Sequence, residues 1–361
     1  MERQARNLLT LLITGDNMMD PDLFREHVEQ AFGKDKFNIK IKRYSFDNCC
    51  FPLEAQTTIP SGMCFEDPKA KMGYPDCGVN EFYGEPYSLM EDIRDVDILV
   101  IHGAALPRKV LENANRLKYI ISLRGGPANI DMEYVRQHGI KLLNTNGKNA
   151  QAVAEFTLGA LLDFERDITY GNAYLKNDYW WIKAVDDRMS HELQNKKFGF
   201  IGYGNIAQKL RKLLSGFDIE AYAYSPHINE ETLEKSNVKR LSLPELVSTC
   251  DYVSLHTRPV KGQPPVMSAE MIGMMKSDAV LINSGRGALL DYAALKKALE
   301  KKRIRGAVLD VLGNEPFSFY KELLDMSNTL ITPHIAGQSY ETCVRACQMG
   351  TQLLRSILGE E

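Results

Sequence analysis

No stretch of this 361-residue chain approaches the ~18 consecutive apolar residues that a membrane-spanning helix needs. Charge of one sign is also lacking. A formal net charge of -3 supports neither a nucleic-acid surface nor a polyanion binder. A disulfide framework is not expected either. The seven cysteines are an odd number, in a chain of this length that shows no secretion signal. Four of them fall at Cys49, Cys50, Cys64 and Cys77, but their spacing fits no common zinc pattern and no histidine lies nearby, so no metal site is expected. Cys343 and Cys347 stand i, i+4 on an expected helix and read as small packed residues. The opening MERQARNLLTLLITGD has a short apolar run that ends in a charged turn, without a small-residue cleavage site. It reads as a first strand rather than a signal peptide. Together these absences lead us to expect a cytoplasmic protein that engages neither membrane nor nucleic acid. No internal repeat stands out.

What is present is the balance of an ordinary globular protein, 44% hydrophobic and 25% charged, at a length that suggests two domains. Short apolar runs alternate with helical patterns. Strands are expected at 9–14, 39–44, 97–101, 118–123 and 141–144, and in a second series at 197–201, 220–224, 252–256, 279–283 and 306–310. Near-continuous apolar strands separated by helices imply parallel sheets covered on both faces, the doubly wound α/β class. Between the two series, residues 149–175 read as one long helix with Asn149 as N-cap. SLPEL at 242–246 carries a capping box, Ser242 to Glu245. Residues 51–85, rich in proline and glycine, read as an irregular insertion.

The most interpretable segment is KKFGFIGYGNIAQKL. A strand runs into Gly202, Gly204 and Ala207 and then a helix, the G-x-G-x-x-A form of a dinucleotide fingerprint. Gly202 permits the tight turn, Gly204 lets backbone approach a pyrophosphate, and Ala207 keeps the helix close to the strand. Tyr203, Asn205 and Ile206 complete the turn that would line the cofactor. The helix N-terminus then faces the phosphates. The acid expected at the end of the second strand, which would take the ribose 2′-hydroxyl, is missing. Ser225 stands there, Glu230 and Glu231 lie beyond Pro226, and the cations nearby are His227 and then Lys235. NAD is the expected cofactor, with NADP left open.

Three further segments are VLINSGRGALLDYAAL with Arg286, GAVLDVLGNEPF with Asp310 and Glu315, and LITPHIAGQS with His334. In this order, downstream of the glycine turn, the chain from about residue 97 onward resembles the D-isomer-specific 2-hydroxyacid dehydrogenases, of the phosphoglycerate dehydrogenase-like kind. Singly, the three are ordinary: a surface arginine, a turn and a loop histidine. Their joint spacing carries the resemblance. It implies hydride transfer between NAD(P) and a D-2-hydroxy acid. His334 would move the proton on the substrate oxygen, Glu315 would pair with His334 and raise its pKa, and Arg286 would fork onto the substrate carboxylate and carbonyl. Asp310 would approach the nicotinamide carboxamide. His256, Thr257 and Arg258 fall where the family lines the adenosine side, and Ser284 and Gly337 complete the expected cofactor contacts.

The resemblance also implies an architecture. A Rossmann cofactor domain at 148–334 is inserted into a flavodoxin-like substrate domain built from 1–147 and 335–361. A homodimer is expected through the long helix, with Trp180 and Trp181 just after it packed in core or linker. Two rivals share the fold: oxidation of formate or phosphite, and a dinucleotide-sensing binding protein of the corepressor kind. Formate enzymes tend to carry glutamine where this chain has Glu315.

One stretch departs from the family pattern. SLRGGPANID puts Arg124 where the family usually has glycine, while Gly125 and Gly126 keep backbone N–H groups able to hold a carboxylate. An upstream loop that often carries an arginine has His102 instead. Two readings stand for Arg124: with His102 it binds a second anionic group of the substrate, a phosphate or a carboxylate, which is the one we expect, or it points away and pairs with an acid on the domain surface.

Overall fold

The structure is a computed structural model that describes residues 8–16, 18–44, 77–79, 82, 84–178, 189–260, 262–313 and 321–360. Most of the expected insertion at 51–85 lies outside the described residues, as do Trp180, Trp181 and Glu315. Contacts divide the chain into two compact units, residues 1–148 with 339–361, and residues 149–338.

Unit 1 is built on a parallel sheet of β1 (Leu9–Gly15), β2 (Phe37–Arg43), β3 (Ile98–Ile101), β4 (Tyr119–Ser122) and β5 (Lys141–Asn144), in the order β2-β1-β3-β4-β5. The central strands are buried on both faces, as in ILVI of β3, which is why they read as unbroken apolar runs. The helix Tyr340–Leu358 closes this unit, capped by Ser339, whose side chain accepts from the Thr342 N–H. It packs on the helix Pro21–Phe32 so closely that a Cβ on Gly350 would meet the Phe24 ring at 2.5 Å.

Unit 2 carries β6 (Lys197–Ile201), β7 (Glu220–Tyr224), β8 (Val238–Arg240), β9 (Tyr252–Leu255), β10 (Val280–Asn283), β11 (Gly306–Leu309) and β12 (Thr329–Ile331). They pair in the parallel order β12-β11-β10-β9-β6-β7-β8. This is the Rossmann order with one strand added, and the order of unit 1 is that of flavodoxin. The α/β doubly wound class expected from the sequence is what both sheets adopt. The three-residue strands β8 and β12 were not expected, being too short to show a periodicity.

The long helix expected over 149–175 is two helices, Ala150–Arg166 and Ile168–Asp178. Asp167 breaks it with φ 51°, a left-handed conformation that aspartate tolerates better than most residues. Asp163 stabilises the break by accepting from the Thr169 N–H and hydroxyl, both at 2.6 Å. Asn149 is the N-cap, but its side chain makes no capping hydrogen bond. The capping box at Ser242 forms as expected.

Candidate functional site

In unit 2 the order of strands reverses between β6 and β9, and at such a point ligands bind beyond the carboxyl ends of the strands. Gly202 leaves β6 with φ 89°. A Cβ there would meet the Thr257 nitrogen at 2.8 Å and the His256 carbonyl at 2.9 Å. Glycine is therefore required twice, for its backbone and for the close approach of the segment after β9. Gly204 caps the nine-residue helix Asn205–Leu213 without any side-chain hydrogen bond, and a Cβ on it would meet nothing within 4 Å. The first turn thus lacks a side-chain cap and Gly204 leaves room beside it, a setting that fits a pyrophosphate. Ala207 is fully buried against the strand.

The other expected cofactor residues are distributed by the same geometry. Asn205 is exposed and Ile206 half-buried at the helix start. Tyr203 is different: its side chain is 1% exposed and packs on Phe200 with ring centroids 5.5 Å apart, so only its backbone faces the turn. The His256 imidazole is held neutral, its pKa pulled down to about 4 by burial, and Nε2 lies 2.8 Å from the Ser254 hydroxyl. Thr257 is half-buried and Arg258 exposed. The Ser284 hydroxyl is engaged with Thr157 at 2.8 Å, which ties the end of β10 to the helix Ala150–Arg166. Gly337 lies under Asn149, whose Nδ2 a Cβ would meet at 2.8 Å.

Arg286 follows β10 and is exposed. The next residue explains its setting: a Cβ on Gly287 would come within 2.0 Å of the Leu312 carbonyl oxygen. The backbone there runs against the segment after β11, and Asn283 Nδ2 braces the turn by donating to the Arg286 carbonyl at 3.1 Å. Asp310, at the end of β11, is 2% exposed. Its Oδ1 accepts from the Thr332 hydroxyl at 2.6 Å and the Ile335 N–H at 2.9 Å, and its Oδ2 from the Ala336 N–H at 2.8 Å. The carboxylate therefore fixes the loop on both sides of His334, an exposed residue held at φ 55°. Expected as a cofactor contact, Asp310 is also the anchor of the candidate proton carrier. Glu315, its expected partner, lies outside the described residues.

In unit 1 Arg124 is half-buried just beyond β4. Neither Gly125 nor Gly126 is forced by its surroundings: a Cβ on Gly125 would meet Asn146 at 3.7 Å, and one on Gly126 nothing within 4 Å. Asn129 binds this turn to the loop after β3, donating to the carbonyls of His102 at 3.0 Å and Ala104 at 2.7 Å. Asp131 caps the following helix. His102 is 7% exposed and its Nδ1 lies 2.6 Å from Asp16 Oδ2.

Sequence reasoning missed three residues here. Asp16 and Lys148 stand at the ends of β1 and β5 with nothing in their flanking sequence to mark them. Arg240 was missed because it comes from a neighbouring strand: the register pairs it with Ala223. From there its guanidinium reaches the carbonyls of Ser225 and Ile228, both at 2.7 Å, and Glu230 at 2.8 Å. It staples the loop at the expected ribose end.

Comparison with known proteins agrees with this geometry. Residues 158–336 match the model of the D-isomer specific 2-hydroxyacid dehydrogenase, NAD binding domain. The chain is 32% identical over 282 residues to a glyoxylate reductase of Thermococcus litoralis, covering 77% of this chain and 81% of the relative. It is 33% identical over 275 residues to a D-3-phosphoglycerate dehydrogenase of Methanocaldococcus jannaschii, covering 76% of this chain but 52% of that longer protein. A crystal structure of a Thermus thermophilus protein, 25% identical, matches with a TM-score of 0.74 over 98% of each chain.

Proposed function

The chain belongs to the D-isomer-specific 2-hydroxyacid dehydrogenase family, and from that premise we propose that it transfers a hydride between a nicotinamide dinucleotide and a D-2-hydroxy acid, interconverting it with the 2-oxo acid. His334 carries this proposal. An exposed imidazole in a left-handed conformation, fixed on both sides by a buried carboxylate, is a costly arrangement for a loop with no task.

The nicotinamide supplies or takes the hydride when bound. His334 gives a proton to the substrate oxygen in reduction and removes it in oxidation, a role suited to an imidazole, which can both hold and release a proton. Glu315 orients that imidazole and stabilises its charged form. The Arg286 guanidinium forks onto the substrate carboxylate and carbonyl oxygens, setting the carbonyl for attack. We assign dinucleotide binding to unit 2 and recognition of the substrate tail to unit 1, where Arg124, positioned with the help of His102, takes a second anionic group. NAD is the preferred cofactor. The cation at the ribose end, Arg240, already holds three loop partners, which argues against a 2′-phosphate. Ile168, Tyr170 and Leu175 are exposed on the helix Ile168–Asp178, which supports a homodimer through this region, and we place the protein in the cytoplasm.

The test is oxidation of NADH and NADPH with a panel of 2-oxo acids. Turnover above about 1 per second is expected for at least one acid. His334→Gln should lower kcat by about 100-fold or more while dinucleotide affinity is retained. Tight dinucleotide binding with no turnover of any 2-oxo acid would overturn the proposal.

A further inference from the structure

Unit 1 has a strand-order reversal of its own, between β1 and β3, the place beyond which an open α/β sheet takes its ligand. Asp16 follows β1 and His102 follows β3, so the acid–imidazole pair stands at that point. Asp16 Oδ1 accepts the N–H groups of Met18 at 2.8 Å and Met19 at 3.1 Å, and Oδ2 faces His102 Nδ1. Burial raises the Asp16 pKa, but these hydrogen bonds and the imidazole outweigh it and hold the carboxyl below its ordinary range. His102 is pulled down, chiefly by burial and further by Lys148 and Arg124. An ionised Asp16 beside a neutral His102 is the consistent state.

Arg124 follows β4 and Lys148 lies just beyond β5. Lys148 is the unusual member. It is 7% exposed, and its ammonium has no hydrogen-bond partner among the described residues. Its backbone is fixed, since Arg345 Nε of the closing helix donates to the Lys148 carbonyl at 2.8 Å. At the same ends of the sheet two buried polar atoms lack partners, Ser122 Oγ at the end of β4 and Asn144 Oδ1 at the end of β5. A buried ammonium without a hydrogen bond is strongly disfavoured unless something else completes it. The groups acting on it are Asp16 after β1, His102 after β3, Arg124 after β4, and Cys343 and Cys347 on the closing helix. Asp16 is the one carboxylate among these groups, and an anionic group entering beside Lys148 would complete its ammonium.

We propose that Lys148 determines substrate specificity, its ammonium joining the Arg124 guanidinium to grip an anionic group, carboxylate or phosphate, on the tail of the 2-oxo acid. Asp16 and His102 act as positioning residues beneath it. This rests on the dehydrogenase function proposed above and names the substrate class of that function. Burial pushes the Lys148 pKa down to about 8, so the grip should weaken as pH rises through that value.

The test uses the full-length protein and two measurements. First, inorganic sulfate, whose charge does not change across the range, is titrated calorimetrically from neutral to alkaline pH. The wild type should bind it, less tightly above pH about 8. Lys148→Met should weaken binding at neutral pH by about tenfold or more. Lys148→Arg should restore it and remove the alkaline loss, because a guanidinium stays charged. Second, kcat/KM is compared for 2-oxo acids with carboxylate, phosphate and uncharged tails. Lys148→Met should lower the charged-to-uncharged ratio about tenfold or more, mainly through KM, and the tail that loses most identifies the anion. The proposal is overturned if the wild type does not bind sulfate. It is equally overturned if Lys148→Met leaves sulfate affinity and the ratio as they were, or alters only the reactivity of the thiols. If no 2-oxo acid is turned over but sulfate binding still depends on Lys148, the anion site stands and the dehydrogenase proposal alone fails.

Discussion

Asp310 shows how much one side chain can organise. Its carboxylate takes two backbone N–H groups and one hydroxyl from the loop that carries His334. Asp310→Asn would turn one acceptor into a donor facing an N–H group, at a cost of about 1–3 kcal/mol. We expect kcat to fall about 10- to 100-fold with the fold intact by circular dichroism. A change confined to the KM for dinucleotide would instead mean that the carboxylate serves the cofactor alone. His256 gives a second expectation at this scale. Burial keeps it neutral in the fold down to about pH 4, whereas its ordinary value is 6.5. A histidine depressed in this way contributes nothing above the unfolded pKa. Stability is lost as pH falls from about 6.5 toward 4, because the unfolded chain binds the proton first. The loss should reach about 3 kcal/mol, and urea midpoints of wild type and His256→Asn across that range would reveal it as a difference in slope.

Among the elements, the helix Ala150–Arg166 is fastened to the sheet of unit 2 by one buried ion pair. Glu165, with its side chain fully buried, receives both terminal nitrogens of Arg305 at 3.0 and 2.7 Å, immediately before β11. Removing one partner of such a pair leaves the other uncompensated, so Glu165→Gln should cost about 3 kcal/mol, read from the denaturation midpoint. The closing helix of unit 1 depends on a contact rather than a charge. Gly350→Ala would drive a methyl into Phe24 and Leu123 and should destabilise unit 1 by about 1–3 kcal/mol. The break at Asp167 belongs to the same scale. Residues 149–175 contain good helix formers and no proline, so local propensity favours continuity. What ends the first helix is a capture of Thr169 by Asp163, a competition between side chain and backbone that propensity does not register.

For the whole molecule, the consequence of two units is that a ligand of one need stabilise only that one directly. A dinucleotide at 100 times its Kd should contribute about 2.7 kcal/mol and raise the thermal midpoint of unit 2. Gly202→Ala should abolish the shift, because its Cβ would collide with the backbone of His256 and Thr257. Differential scanning calorimetry with and without NADH checks this, and light scattering in solution checks the proposed dimer.

Much of this architecture was legible in the residue order. Buried parallel strands are apolar on both faces, so β3, β9 and β10 announce themselves as unbroken runs. The turn after β6 is legible because only glycine satisfies both its positive φ and its close contact, a constraint local enough to leave a mark in the sequence. The order of the strands, and hence the two reversal points, is not local. Nor is the set of charges at the end of the first sheet. Asp16, His102, Arg124 and Lys148 are spread over most of the first 148 positions, and each alone is an ordinary polar residue. Parallel pairing brings the ends of β1, β3, β4 and β5 to one edge, and burial there leaves the Lys148 ammonium without a hydrogen bond among the described residues. The sequence by itself determined the fold class, since buried parallel strands follow from apolar periodicity, and it marked Arg286, Glu315 and His334 as candidates only through the joint spacing that carries the family resemblance. Only the tertiary structure decided that a buried lysine would stand beside Arg124, because desolvation and charge proximity arise only once distant segments meet.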